Sequence, residues 1–112
     1  MTIEEIIGRI RLIRANANLS ARELSLIIGK NPAYISQLEN THGFEPSLSA
    51  LLDILTVCNV SVEEFFYYDI QQYKQDKKLL DFFSSLSEKQ KEAILHLYDA
   101  KNFSIPLLYN HA

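Results

Sequence analysis

Residues 19–40, LSARELSLIIGKNPAYISQLEN, decide the fold of the first half of the chain, because they hold the patterns of two short helices separated by a glycine. Ser20 opens a capping box of the form S-x-x-E, which predicts the start of the first helix. Gly29 is expected to end that helix, since glycine adopts the positive φ that such a tight turn requires. Asn31 as N-cap and Pro32 at the first helical position predict that a second helix begins at once. Two helices joined by so short a turn are typical of a helix-turn-helix.

The apolar residues of this stretch fall on the faces that two such helices would turn toward each other. Leu24 and Ile28 of the first helix can meet Ile35 and Leu38 of the second. Ser25 is small at the point where the two helices must approach closely. The pattern therefore predicts a helical corner with an apolar interior.

The rest of the chain also has helical patterns. Capping boxes recur at Thr2, Ser61 and Ser87, and each precedes an apolar run with helical spacing. The fold is predicted to be all-α, with a five-helix domain over residues 1–69 and a helical hairpin and tail over 70–112, where Pro106 breaks the last segment. The predicted inward-facing residues of the first domain are Ile3, Ile6, Ile7, Ile10, Ile13, Leu24, Ile27, Ile28, Ile35, Leu38, Leu48, Leu51, Leu52, Leu55, Val62, Phe65 and Phe66.

Composition excludes several classes of protein. Cys58 is the single cysteine among 112 residues, so no internal disulfide can form, and the three histidines are scattered. The charged amphipathic start is unlike a signal peptide, and no apolar run approaches the ~18 residues of a membrane span. No nucleophile–base pair, carboxylate cleft or phosphate loop is found. We expect a cytoplasmic protein that is not an enzyme, contacts no membrane, and uses no cofactor, metal or evident small-molecule ligand.

The corner and the segment that follows it, PSLSALLDILTVCNVSVEEFF, resemble the phage repressor and Cro-like (XRE-type) helix-turn-helix family over about residues 6–69. The resemblance implies a five-helix lambda-repressor-like domain whose third helix enters the major groove of double-stranded DNA. Two positions depart from the family pattern. Lys30 stands where a valine-like residue usually follows the turn glycine, and Ala21 stands where a polar residue usually opens the second helix.

The resemblance also implies roles for individual residues. Gln37 can read adenine and Ala33 can meet a thymine methyl group, so base reading needs no positive charge. The residues expected to face the bases are Pro32, Ala33, Ser36, Gln37 and Asn40. Those expected at phosphates are Arg22, Lys30, Asn31, Tyr34 and His42, with Arg9 and Arg11 as further candidates. Arg14 and Glu39 are expected to form a structural salt bridge between the first and third helices.

The second half carries an apolar stripe whose partner the sequence leaves open. Either this stripe is the core of the hairpin or it packs on a second chain, and we favour a homodimer, because two copies would place two recognition helices one helical turn apart on one DNA face. The expected interface residues are Leu79, Phe82, Phe83, Leu86, Leu97 and Tyr98.

The expected function is that of a sequence-specific regulator, most simply a repressor. The alternative is a protein-interaction module that keeps the fold but antagonises another regulator. Ala21 favours this alternative, as does the charge distribution, since residues 1–50 are neutral and residues 51–112 carry six cations and nine anions.

Overall fold

The computed structural model describes residues 1–40 and 44–111, and the side chains of 1–40 and 44–100. Within these ranges the chain forms seven helices and no strand, so the predicted all-α class is confirmed. The helices are α1 (Ile3–Asn16), α2 (Ala21–Ile27), α3 (Tyr34–Asn40), α4 (Leu48–Val57), α5 (Val62–Phe65), α6 (Tyr73–Ser85) and α7 (Glu88–His111). They fall into two compact units, Met1–Tyr73 and the residues from Lys74 onward. No helix in the described ranges has both the length and the apolar composition to cross a membrane.

Side-chain caps begin most of these helices. The hydroxyls of Thr2, Ser20, Ser47 and Ser61 each accept the backbone N–H of the residue three positions later. The two capping boxes with both hydrogen bonds begin α2, at Ser20, and α7, at Ser87. Because each cap satisfies N–H groups that the helix itself leaves unpaired, the short polar motifs fix where these helices start.

The core of the first unit lies among α1 to α4 and includes one fully buried aromatic residue, Phe65 of α5. Its members are Ile10, Ile13, Leu24, Ile35, Leu38, Leu51, Ile54, Leu55 and Phe65. Five predicted core residues are exposed instead, namely Ile27, Leu48, Leu52, Val62 and Phe66. Helical spacing fails here because α2 and α5 are short and because the apolar side of α4 is broader than the part of it that is buried. Only the packing of neighbouring helices decides which side of such a helix is buried.

The end of α7 corrects another expectation. The sequence predicts a break at Pro106, whereas the helix continues from Glu88 to His111. Proline lacks one N–H and so removes a single hydrogen bond from a helix. The turns on either side of it keep their own bonds.

Residues with positive φ end three helices of the first unit. Asn18 follows α1, Gly29 follows α2 and Asn59 follows α4, with φ values of 57°, 75° and 57°. This conformation lets the chain reverse direction while the last helical carbonyls remain hydrogen-bonded. Glycine adopts it without strain and asparagine does so more readily than most residues.

Two glycine-to-alanine substitutions should have opposite effects on stability. A Cβ added at Gly29 or at Gly8 would meet no atom within 4 Å, so neither change creates a clash. Gly29→Ala should lower the free energy of unfolding by about 1 kcal/mol, since its φ is positive. Gly8→Ala should raise it by about 0.5–1 kcal/mol, because Gly8 lies within α1. Urea unfolding followed by circular dichroism measures both, and shifts of the same sign would contradict the assignment.

Candidate nucleic-acid interface

The corner between α2 and α3 is closed by backbone hydrogen bonds around Gly29. The Gly29 N–H donates to the Leu26 carbonyl at 3.0 Å, and the Lys30 N–H donates to the Ser25 carbonyl at 2.9 Å. These bonds turn the chain sharply after α2. The inner sides of the two helices then meet through the buried side chains of Leu24, Ile35 and Leu38.

The start of α3 differs from the prediction. Asn31 accepts two hydrogen bonds. Its side-chain Oδ1 accepts the Ala33 N–H at 2.9 Å, and its carbonyl oxygen accepts the Tyr34 N–H at 3.1 Å. These bonds form a tight turn, so Pro32 and Ala33 precede the helix and α3 begins at Tyr34. The prediction that Pro32 is the first helical residue is therefore wrong by two positions.

Sequence reasoning missed the role of the Ser25 hydroxyl. Ser25 lies on α2 with 0% of its surface exposed. Its Oγ accepts the Ile35 N–H of α3 at 2.9 Å and donates to the Ala21 carbonyl at 2.7 Å. In the sequence, Ser25 stands out as a small polar residue where two helices cross. Its small size was reason enough for its place there, so its hydroxyl was given no role.

The outer side of α3 holds the residues predicted to face DNA bases. Spacings of three and four residues place Ala33, Ser36, Gln37 and Asn40 on one side. Ser36 is half-buried and the others, with Pro32, are exposed. The Ser36 hydroxyl donates to the Ala33 carbonyl at 3.0 Å, and the Asn40 amide nitrogen donates to the Ser36 carbonyl at 2.7 Å. The Gln37 amide forms no hydrogen bond to any described residue, so both its donor and its acceptor face solvent.

The C-terminal end of α3 is held by two arginines of α1. Arg14 forms a bidentate pair with the Glu39 carboxylate, with Nε–Oε2 and Nη2–Oε1 distances of 3.0 and 2.8 Å. Arg14 also donates to the Leu19 carbonyl at 3.0 Å. Arg11 donates to the Glu39 carbonyl at 2.9 Å, and its Nε lies 3.4 Å from the same carboxylate. The pair that the resemblance implied thus lies beside a second arginine that was proposed for phosphate.

Arg9 is also bound to the protein's own backbone. Its guanidinium donates to the carbonyls of Phe65, Tyr67 and Tyr68 at the end of α5. Arg9 was a further candidate for phosphate contact, and these three bonds give it a structural role in the free protein. It attaches α1 to the segment that follows α5.

Two cations of the corner remain available, Arg22 and Lys30. Both are exposed, and neither forms an ion pair with a described residue. The Lys30 Nζ lies 5.4 Å from the centre of the Tyr34 ring, which is the geometry of a cation–π contact. His42, another residue predicted at phosphate, lies outside the described residues.

Tyr34 is partly buried beside this lysine. Its ring packs edge-on against Phe44, with ring centres 5.8 Å apart. Burial raises the pKa of the Tyr34 phenol above its usual value, so the hydroxyl keeps its proton at neutral pH. It can therefore donate a hydrogen bond to an anion.

The start of α2 carries a fixed negative charge. A hydrogen bond from the Ser20 backbone N–H holds the pKa of the Glu23 carboxyl below its usual value, and the Ser20 side chain lowers it further to a smaller extent. Glu23 is therefore a carboxylate at neutral pH. This charge stabilises the N-terminus of α2 but offsets part of the positive charge of the neighbouring Arg22.

Comparison with known families identifies this corner. The helix-turn-helix family model matches residues 10–65, half of the chain, and this range includes α2 and α3. Comparisons with curated proteins and with solved structures find no match. The resemblance inferred from the sequence is confirmed by the family match. The chain belongs to the XRE-type, Cro-like helix-turn-helix family of DNA-binding regulators.

Proposed function

We propose that the chain is a sequence-specific repressor that reads the major groove of double-stranded DNA with the outer side of α3. The observation that carries this proposal is the contrast between the two sides of α3. The inner side is held by the core and the buried Ser25 hydroxyl, and the end of the helix by the Arg14–Glu39 pair, while the Gln37 amide faces solvent. A promoter covered in this way would be closed to polymerase, as the family resemblance implies.

The outer side of α3 offers chemistry suited to base edges. Gln37 can bind adenine with two hydrogen bonds. Its amide nitrogen can donate to N7 and its amide oxygen can accept from the N6 amine. The Ala33 methyl group can contact a thymine methyl. The Asn40 amide nitrogen is bound to the Ser36 carbonyl, while its amide oxygen accepts no hydrogen bond from a described residue. Because α3 is held before DNA arrives, little side-chain or backbone freedom is lost on binding.

Phosphate contacts would come from few groups. Arg22 and Lys30 are the available cations of the corner, and the Tyr34 hydroxyl and the turn at Asn31 add uncharged donors. A dimer with two cationic contacts per copy should show a slope of log K against log salt of about −3 to −4. Such a shallow dependence means that one copy alone binds weakly.

We also propose that the second unit joins two copies. None of the described side chains of residues 74–100 is fully buried. Leu79, Phe82, Phe83, Leu97 and Tyr98 are exposed, and Leu86 is half-buried. The described side chains of a single α6–α7 unit therefore expose a large apolar surface, which monomeric proteins rarely do.

A second copy fits this surface better than a charged partner. Residues 74–100 contain five cations and five anions, so the surface is neutral and does not repel itself. Phe83, Ile94, Leu95 and Tyr98 line an apolar cleft with Lys91 at its edge. The exposed Phe82 ring of another copy could fill such a cleft in a two-fold arrangement.

A random duplex pool provides the decisive test. The full chain should enrich an inverted repeat, which would establish base reading and two-fold symmetry together. Gln37→Ala should then weaken binding to the selected duplex about 10- to 100-fold and leave random duplex binding nearly unchanged. Arg22→Ala should weaken both and reduce the size of the salt slope by about 1 per subunit. Fluorescence anisotropy at several salt concentrations measures these effects.

Gln71→Ala serves as the matched control, because Gln71 is an exposed glutamine outside the corner. This variant should bind like the wild-type chain. Equal losses for Gln37→Ala and Gln71→Ala, or no loss for either, would contradict the assignment of α3 to base reading.

The alternative function is a protein-interaction module that antagonises another regulator. One observation favours it: Arg9, Arg11 and Arg14 are all engaged with groups of the protein itself, which leaves Arg22 and Lys30 as the available cations of the described first fifty residues. Absence of any enriched sequence in the pool would support this alternative.

A further inference from the structure

We propose that Ser25 is a positioning residue of the recognition helix, because its hydroxyl determines where α3 begins. This inference deepens the proposed function and rests on it for the effect on DNA. Ser25 touches no solvent and lies on the neighbouring helix. Its side chain is hydrogen-bonded to α3 through the Oγ, which accepts the Ile35 N–H.

The backbone donors that lead into α3 each have a distinct acceptor. The Ala33 N–H goes to the Asn31 side chain and the Tyr34 N–H goes to the Asn31 carbonyl. In a helix that began at Pro32, the Asn31 carbonyl would instead accept from Ile35, four residues later. Here the Ile35 N–H goes to Ser25 at 2.9 Å. The tertiary bond thus leaves the Asn31 carbonyl to Tyr34 and keeps Pro32 and Ala33 in the turn.

Without the Ser25 hydroxyl, α3 should begin at Pro32, which is the start that the local sequence favours. Ile35 is fully buried, so its N–H without an acceptor would be strongly unfavourable. The nearest remedy is the Asn31 carbonyl, which would extend α3 back to Pro32. Asn31 and Pro32 are suited to that start by their own preferences. Ser25 therefore decides between two starts of the same helix.

The start of α3 affects the proposed reading of bases through the backbone of Ala33. Its carbonyl accepts from the Gln37 N–H at 2.9 Å and from the Ser36 hydroxyl at 3.0 Å. A change of the Ala33 backbone would therefore move the Ala33 methyl group and the two side chains proposed to face bases. Phosphate contacts from Arg22 would not change, because Arg22 lies in the first turn of α2.

Ser25→Ala tests the inference first in the free protein by NMR. The replacement bond to the Asn31 carbonyl lies in the first turn of a short helix and opens more readily than the buried bond to Ser25. We therefore expect the protection of the Ile35 amide against hydrogen exchange to fall at least tenfold more than that of Leu38 in the same core. The carbon shifts of Pro32 and Ala33 should move toward helical values. Ser84→Ala is the matched control, since Ser84 donates to the Leu80 carbonyl at 2.8 Å, and it should change neither signal.

Ser25→Cys is a second variant for the case in which Ser25→Ala does not fold. It keeps nearly the same volume and a weak acceptor, so intermediate changes are expected. If Ile35 and Leu38 lose protection equally and the Pro32 and Ala33 shifts stay constant, the hydroxyl only fills space and the inference is wrong.

Sequence selection with Ser25→Ala tests the functional part. Preference at the base pair nearest Ala33 should relax about tenfold, while the salt slope stays that of the wild type. Unchanged preference at every position would overturn the link between the start of α3 and base reading. Failure of the wild-type chain to select any sequence would instead overturn the proposed function, and the NMR result would stand independently.

Discussion

Phe82→Glu is expected to prevent the proposed dimer from forming and to weaken binding to a two-fold DNA site about 100-fold or more. Phe82 is 54% exposed on α6, and its ring centre lies 5.7 Å from that of the neighbouring Phe83, so the substitution removes little packing within one copy. In a dimer, however, the new carboxylate would lie in an apolar interface without a partner, which is strongly unfavourable. Loss of the second copy removes the gain of 10²–10⁴ that linked binding provides.

Sedimentation equilibrium measures the first effect, because the dimer has twice the 12.9 kDa mass of the chain. Anisotropy with the selected duplex measures the second. Ser84→Glu is the control, since it adds the same charge two residues further along α6, on another side of the helix. A wild-type chain that stays monomeric at tens of micromolar concentration, or equal behaviour of the two variants, would refute the dimer.

Arg14→Met is expected to lower the free energy of unfolding by about 3 kcal/mol. The Glu39 side chain is only 4% exposed and that of Arg14 20%, so the pair is largely screened from water. Removal of one partner from a buried pair leaves an uncompensated charge and typically costs about 3–5 kcal/mol. We expect the lower part of that range because Arg11 remains 3.4 Å from the Glu39 carboxylate.

Two further variants make this result interpretable in urea unfolding. The double variant Arg14→Met, Glu39→Met should be more stable than Arg14→Met alone, since it removes the buried charge as well. Lys77→Met breaks the exposed Lys77–Asp81 pair at 3.2 Å and should change stability by less than about 1 kcal/mol. If Arg14→Met and Lys77→Met were equally mild, the Arg14–Glu39 pair would not hold α3 in place.

The second prediction concerns how α3 is held in place. The Arg14–Glu39 pair fixes the end of the helix, Ser25 and Asn31 fix its start, and the core holds its inner side. A seven-residue helix is too short to be stable by itself in water. Its order therefore comes from these tertiary contacts.

Much of the site could be predicted from the sequence because its determinants are local. The caps at Ser20, Ser47 and Ser61 act on residues three positions away. Spacings of three and four residues also place Gln37 and Ala33 on the side of α3 opposite the buried Ile35. Family resemblance added the pairing of Arg14 with Glu39, which lie 25 residues apart.

The misplaced predictions involve distant partners, short helices or a helix whose apolar side is broader than its buried side. The start of α3 depends on a bond between residues ten positions apart. The sequence left Arg9 as a candidate for phosphate contact. In the structure it donates to backbone carbonyls that lie 56 to 59 residues further along the chain. Leu48 and Leu52 lie at the edge of the broad apolar side of α4, and this edge remains exposed.

The sequence by itself determined that the chain is helical, where the capped helices start, and that a glycine turn joins two of them. These features follow from hydrogen bonds and backbone preferences that act within about four residues. The tertiary structure alone decided where α3 begins, which arginines remain available, and which apolar residues are buried. Each of those outcomes requires atoms from distant parts of the chain to meet, and such a meeting exists only once the helices have packed.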